Sequence, residues 1–363
     1  MSRPLISVLT TLYNHERFIH QTITSALGQT APPDEIIIID DASTDNSVSV
    51  AASISHPSIQ LFREPNNLGG ANTMKGLNAC KGDFVAILNS DDYWQPEKLQ
   101  QQVEYMLANP QCGVVFTRVK LVDENSVPWQ ENSHSLQKNF SVPNRSRESW
   151  LNHFFSKGNP FCASSALIRK ECLTQLGPLD GRYIQLQDLD MWTRIAIHGY
   201  QLHVIDNELT NYRVSRKRSN MSSQTLKNHA IFTYEYARLL RNFWQLSSLA
   251  ELTRIFPEIR TAEGADDSLT QFYLARFARE WGTPYHLQFS ADTMFEWSAN
   301  EHAMNLACTL HGFTHPEYRN FIAHNPLAIW ENAGLSRKMK ILAAKFLPHR
   351  VHHMLRRLLK KGP

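Results

Sequence analysis

Two runs of apolar, mostly β-branched residues, each followed closely by a pair of aspartates, constrain this chain more than any other feature. Residues 35–39 (EIIII) stop at Asp40-Asp41, and residues 84–88 (FVAIL) stop two positions before Asp91-Asp92. A strand that is apolar on both faces belongs inside a sheet covered by helices on both sides. The sequence between such runs supplies those helices. Residues 5–9 read as a first strand, after which Phe18, Ile19, Ile23, Ala26 and Leu27 fall at helical spacing, with Asn14 as N-cap and Pro32-Pro33 as the stop. Ser43 or Thr44 caps a helix through Ile54, residues 59–62 form a further strand, Gly69-Gly70 opens a helix to Ala79, and Pro96 suits a first helical turn. This alternation predicts an α/β fold built on a parallel sheet. Strands are also expected at 114–119 and near 164–168, with a helix from about Gln187 to His198 closed by Gly199. Beyond Ser215 the pattern is helical, with many aromatics and no strand alternation.

Open α/β sheets bind ligands beyond the carboxyl ends of their strands, which is where these aspartates fall. Asp40 carries a carboxylate that only accepts hydrogen bonds, so it suits the imide N–H of uracil or the N–H edge of guanine; a turn or helix cap is the alternative. Asp91 and Asp92 repel each other unless a cation or hydrogen-bond donors offset the charge. A hard divalent ion is the natural partner, with one carboxylate on the metal and the other toward a ribose; two solvated acids in a turn are the plain alternative. Asp188 opens the segment QDLDMWTRIAIHG, in which Leu189, Trp192, Ile195 and Ala196 define a buried helical face. It is either a cap or a base held by the fold. Asp190 and Arg194, four apart, form a structural pair.

Other classes are excluded by length and charge. No apolar run approaches the ~20 residues of a membrane span, and no secretory leader precedes the first strand. The five cysteines show no C-x-x-C spacing, which predicts buried free thiols in a reducing cytosol. Nine Lys and Arg lie in residues 336–363, and against a total of +3 this leaves −6 for the rest, a balance unlike that of a nucleic-acid binder. That last segment interleaves Ile341, Leu342, Phe346, Leu347 and Val351 with its basic residues. It suits either peripheral contact with anionic lipid or a helix packed on the body. The expected location is the cytoplasm, or the inner face of the membrane through this segment.

Five stretches in order, ISVLTTLYN, EIIIIDDASTDNS, NNLGGANTMKGLNACKGDF, ILNSDDYWQPEKL and QDLDMWTRIAIHG, resemble the family 2 glycosyltransferases, and the likeness covers about residues 4–213. The resemblance implies a GT-A fold, a mostly parallel sheet flanked by helices, over 1–215. A mainly α-helical region of unknown role (216–335) and the basic segment (336–363) follow. It further implies an inverting transferase that moves a sugar from a nucleotide-diphosphate donor, a UDP-sugar for preference, to a saccharide or lipid-linked acceptor in surface polysaccharide or glycolipid synthesis. Carried over by position, Thr11 and Tyr13 line the nucleotide pocket, Asp40 reads the base, Asp91 and Asp92 hold the ribose and Mg²⁺ or Mn²⁺, and Asp188 is the general base. Three positions depart from the family pattern: Asn89 and Gln187 stand where acids are common, and Ser215 where a His is frequent. A non-catalytic nucleotide-sugar-binding protein is one alternative. A sugar-phosphate nucleotidyltransferase is another, but it would carry a Gly-rich, Arg-containing loop after the first strand, and residues 10–14 hold none.

Overall fold

The computed structural model describes residues 3–129, 135–214 and 225–323. Ser215 and the segment 336–363 lie outside the described residues. The chain divides into two compact units, Met1–Ser223 and Gln224–Pro363.

In the first unit, β1 (Ile6–Leu12), α1 (Ile19–Leu27), β2 (Glu35–Asp40), α2 (Ser47–Ala52), β3 (Ile59–Arg63), α3 (Gly70–Ala79) and β4 (Phe84–Ile87) alternate as expected. All six residues of β2 are buried, as a strand covered on both faces requires. On one face Ile6, Val8, Ile36 and Ile38 pack with Ile23, Ala26, Leu99 and Met106. On the other, α3 crosses β1 and β2 so closely that a Cβ on Gly76 would come within 2.3 Å of a Leu9 methyl and 2.8 Å of Ile39. Glycine there is the condition for seating the helix.

The second half of this unit holds β5 (Tyr93–Trp94), α4 (Lys98–Ala108), β6 (Cys112–Val122), α5 (Ser135–Phe140), α6 (Arg147–Ser156), β7 (Leu167–Arg169), α7 (Lys170–Leu176), α8 (Gln187–Ile197) and β8 (Gln201–Arg213). Sheet order is β3-β2-β1-β4-β7-β6-β8-β5. Pairing is parallel from β3 through β4, but β7 runs antiparallel to both β4 and β6, so the sheet is mixed. Three expectations change. Neither Ser43 nor Thr44 caps a helix: α2 starts at Ser47 with Asn46 at its N-cap position and ends at Ala52, and the Ser43 hydroxyl accepts the Asn14 N–H at 3.0 Å. Asn14 is not an N-cap: α1 starts at Ile19, while Asn14 takes φ 52° and accepts the Thr44 N–H at 2.8 Å. Cys308 is exposed, whereas the other four thiols are free and buried.

In the second unit the described elements are all helical: α9 (Leu226–Leu239), α10 (Leu249–Ile255), α11 (Thr270–Glu280), α12 (Pro284–Trp297), α13 (Glu301–His311) and α14 (His315–Ala323). Caps fix four of their starts, with Thr225, Ser248, Thr283 and Asn300 each accepting a backbone N–H of the first turn. Phe272, Phe289 and Leu274 fill the core, and Trp297 donates to the Ser268 carbonyl at 2.9 Å. No helix among the described residues is long and apolar enough to cross a membrane.

Candidate active site

The strand ends bring the first set of expected residues together. β1 and β2 pair in parallel with Thr11 opposite Ile39 and Leu12 opposite Asp40. Thr11 and Tyr13 therefore emerge beside Asp40, and Tyr13 is 45% exposed. Among the described residues the buried Asp40 carboxylate accepts only the Ser43 N–H, at 3.4 Å to Oδ1 and 3.3 Å to Oδ2, so it keeps acceptor capacity. Ala42 holds a left-handed φ of 62°, a conformation that costs a non-glycine residue roughly 1 kcal/mol. Asp41 accepts the Leu68 and Gly69 N–H groups at 2.8 and 2.9 Å and the Asn72 amide at 2.5 Å, which fixes the start of α3.

The start of α3 in turn meets the start of α8. A Cβ on Gly70 would stand 2.7 Å from Gln187 Oε1 and 3.2 Å from Gly181 Cα, so only glycine lets the two approach. Gln187 Oε1 is buried with no hydrogen-bond partner among the described residues.

At the end of β4 the two neighbouring aspartates do different things. Asp92 is buried, and its Oδ2 accepts the Ser164 hydroxyl at 2.5 Å while Oδ1 accepts the Arg213 backbone N–H at 2.9 Å. Burial, then the adjacent Asp91 charge, pushes its carboxyl well above the usual range. Each Asp92 oxygen thus meets one protein donor, which anchors the turn and leaves acceptor capacity on both oxygens. The Asp91 carboxylate receives no hydrogen bond from another described residue. Burial raises it as well, partly offset by nearby His15. His15 is held by Ser90 Oγ at 2.8 Å from its Nδ1. Arg213 ties this turn down: its Nε donates to the Asp91 carbonyl at 2.7 Å, and its other nitrogens reach the Asp123 carbonyl at 3.0 Å and Gln21 Oε1 at 2.8 Å.

A stretch that sequence reasoning did not single out connects this turn to Asp188. Ser164 holds Asp92, and five residues earlier Asn159 donates to Asp188 Oδ2 at 2.7 Å. Asp188 Oδ1 accepts the Leu189 N–H at 2.8 Å. Burial pushes the Asp188 carboxyl up to about 6, against the lowering effect of these two donors and of its own backbone N–H. Cys162, on the same stretch, is a buried thiol raised by its burial and by the charges of both Asp92 and Asp188. The only sequence signal for this stretch is a set of small polar residues, Asn159, Ser164 and Ser165, inside an otherwise apolar run. Beneath it Lys98 is buried, bonded to Gln102 Oε1 at 2.7 Å and seated 4.0 Å from the Trp94 ring centre; desolvation drives its pKa well down. Among the described residues no cluster of three or more His, Cys, Asp or Glu is arranged to hold a metal by itself.

Residues 7–175 match the family described as Glycosyl transferase family 2. These residues form a family 2 glycosyltransferase domain. Relatives of this glycosyltransferase include the putative teichuronic acid biosynthesis glycosyltransferase TuaG of Bacillus subtilis, 29% identical over 216 residues that cover 58% of this chain and 80% of TuaG. An uncharacterized glycosyltransferase of Methanocaldococcus jannaschii is 26% identical over 239 residues, 64% of this chain and 78% of its own. Among solved structures, Staphylococcus aureus TarS (residues 1–349, in complex with UDP) superposes with a TM-score of 0.53 at 16% identity, covering 88% of this chain and 89% of that one. That likeness extends the GT-A type of fold to this glycosyltransferase.

Proposed function

We propose that the protein transfers a sugar from a UDP-sugar to a hydroxyl of a bacterial surface polysaccharide or glycolipid, with inversion at the anomeric carbon. The observation that carries this reading is the stretch 159–165, which holds the Asp91-Asp92 turn at one end and Asp188 at the other. A site that must place an activated sugar next to a base needs that pairing. The relatives favour the same substrates: TuaG is named for teichuronic acid synthesis, and TarS is described in complex with UDP and with UDP-GlcNAc.

In this reading Thr11, Tyr13 and Asp40 hold the nucleoside, with Asp40 taking the uracil imide N–H. Asp91 is the residue that fits Mg²⁺ or Mn²⁺. Its buried carboxylate lacks a donor from any other described residue, and one carboxylate is enough where substrate phosphates supply the remaining ligands. When bound, the ion neutralises charge that develops on the leaving diphosphate. Asp92 positions Asp91 through the shared turn.

Asp188 takes the proton of the acceptor hydroxyl as that oxygen bonds to the anomeric carbon and the bond to the diphosphate oxygen breaks. A carboxyl raised to about 6 is a stronger base than free aspartate yet is largely ionised at neutral pH, which suits the role. Binding of UDP in the presence of Mn²⁺, measured by calorimetry, tests the donor side: Asp188→Asn should bind UDP as the wild type does while losing transfer. Retained turnover in that variant would remove Asp188 as the base.

A further inference from the structure

Asn159 makes two bonds that fix it in one orientation. Its Oδ1 accepts the Phe161 backbone N–H at 3.0 Å, which assigns the amide oxygen and aims Nδ2 at Asp188 Oδ2, 2.7 Å away. The backbone that carries it is held rigidly. Phe161 stacks on Phe116 with ring centres 3.9 Å apart and meets Trp150 edge-on at 4.7 Å, and Pro160 is buried. We propose that Asn159 is a positioning residue for Asp188, holding the carboxylate by Oδ2 so that its remaining lone pairs meet the acceptor hydroxyl in one orientation. The proposal rests on the reading of Asp188 as the base.

An amide N–H stabilises the ionised carboxylate and not the protonated acid at that oxygen, so Asn159 works against the desolvation that raises Asp188. Other groups near Asp188 do not substitute for it. Cys162, from the same stretch, is kept protonated by burial. Asp190, on the same helix, is closed off by Arg194 at 2.8 Å. Gln187 precedes it without charge. Without Asn159, among the described residues only the backbone N–H groups of Leu189 and of Asp188 itself would be left to hold the anion.

The test follows the carboxyl carbon of Asp188 by NMR in protein labelled with ¹³C-aspartate, with the resonance assigned by its loss in Asp188→Asn. In Asn159→Ala the titration of Asp188 should move up by about one pH unit, the size expected for one hydrogen bond to a charged group. Asn159→Asp keeps the acceptor for the Phe161 N–H but replaces the donor with a second carboxyl, so the midpoint should move further up, and it serves if the alanine variant folds poorly. UDP affinity with Mn²⁺ should stay at the wild-type value in both, since Asn159 does not touch Asp91. An unmoved Asp188 titration in a folded variant overturns the proposal, because a residue that only shapes the loop would change stability and leave that midpoint in place. If Asp188→Asn kept full transfer of sugar from UDP-N-acetylglucosamine while the Asn159 variants still shifted the titration, the base reading would fall and the tether would stand.

Discussion

The placement of Asp188 makes stability and activity depend on pH in opposite directions, and one substitution isolates the effect. Folding raises this carboxyl from 3.8 to about 6. The folded state therefore binds its proton more tightly than the unfolded chain does. Its contribution to stability is fully present below about pH 4, falls as pH rises to 6, and levels off above that. Two pH units correspond to about 3 kcal/mol, or about 2 kcal/mol once partial solvent access is allowed for. Asparagine has no such titration. The stability of Asp188→Asn relative to wild type should therefore improve by about 2 to 3 kcal/mol between pH 4 and pH 7.5, whatever constant difference the amide introduces through its new contacts. Urea midpoints for both proteins at the two pH values measure this, since constant terms cancel in the difference. Equal differences at both pH values, within about 0.5 kcal/mol, would show that the Asp188 carboxylate is not desolvated by folding, and the argument for its raised basicity would fail with it.

Asp91→Asn should abolish the Mn²⁺ dependence of UDP binding while leaving the fold intact, as calorimetry with and without the ion would show. Ser164→Ala removes the donor to Asp92 Oδ2 and the acceptor of the Asn89 N–H, and should lower unfolding free energy by about 2 to 3 kcal/mol in urea titrations. Lys98→Met removes a buried amine that has no carboxylate partner among the described residues, and should raise thermal stability at pH 7. Transfer rates plotted against pH should fall about tenfold per unit below pH 6, where Asp188 takes up its proton.

The first strands were legible because burial on both faces leaves their middles without polar residues: Ile36 to Ile39 of β2 and all of β4 read as apolar runs, and the aspartates at or after their ends follow from the chain direction. β8 was not legible. It is 13 residues long, but Asp206, Asn207 and Glu208 interrupt it where its register with β6 shifts, so neither alternation nor an apolar run survives. The role of Asn14 was misread for a related reason. A short polar residue before a helical pattern is a cap on average, yet here its side chain is taken by a backbone N–H 30 residues away.

The division of labour between Asp91 and Asp92 lies beyond any local reading. Adjacent carboxylates have the same chemistry, and which one turns inward is decided by Ser164 and Arg213, 72 and 121 positions along the chain. The same holds for Asp188, whose orientation depends on an asparagine 29 positions earlier. Because Ser164 and Asn159 sit on one short stretch braced by Phe161 and Trp150, a displacement of that stretch would move the Asp91-Asp92 turn and Asp188 together. Their relative geometry is then set by five residues of packed backbone and not by the many loops between them. A site built this way holds the distance between the anomeric carbon's leaving group and the base while acceptor-binding elements vary, since transfer is most sensitive to the positions of the reacting groups.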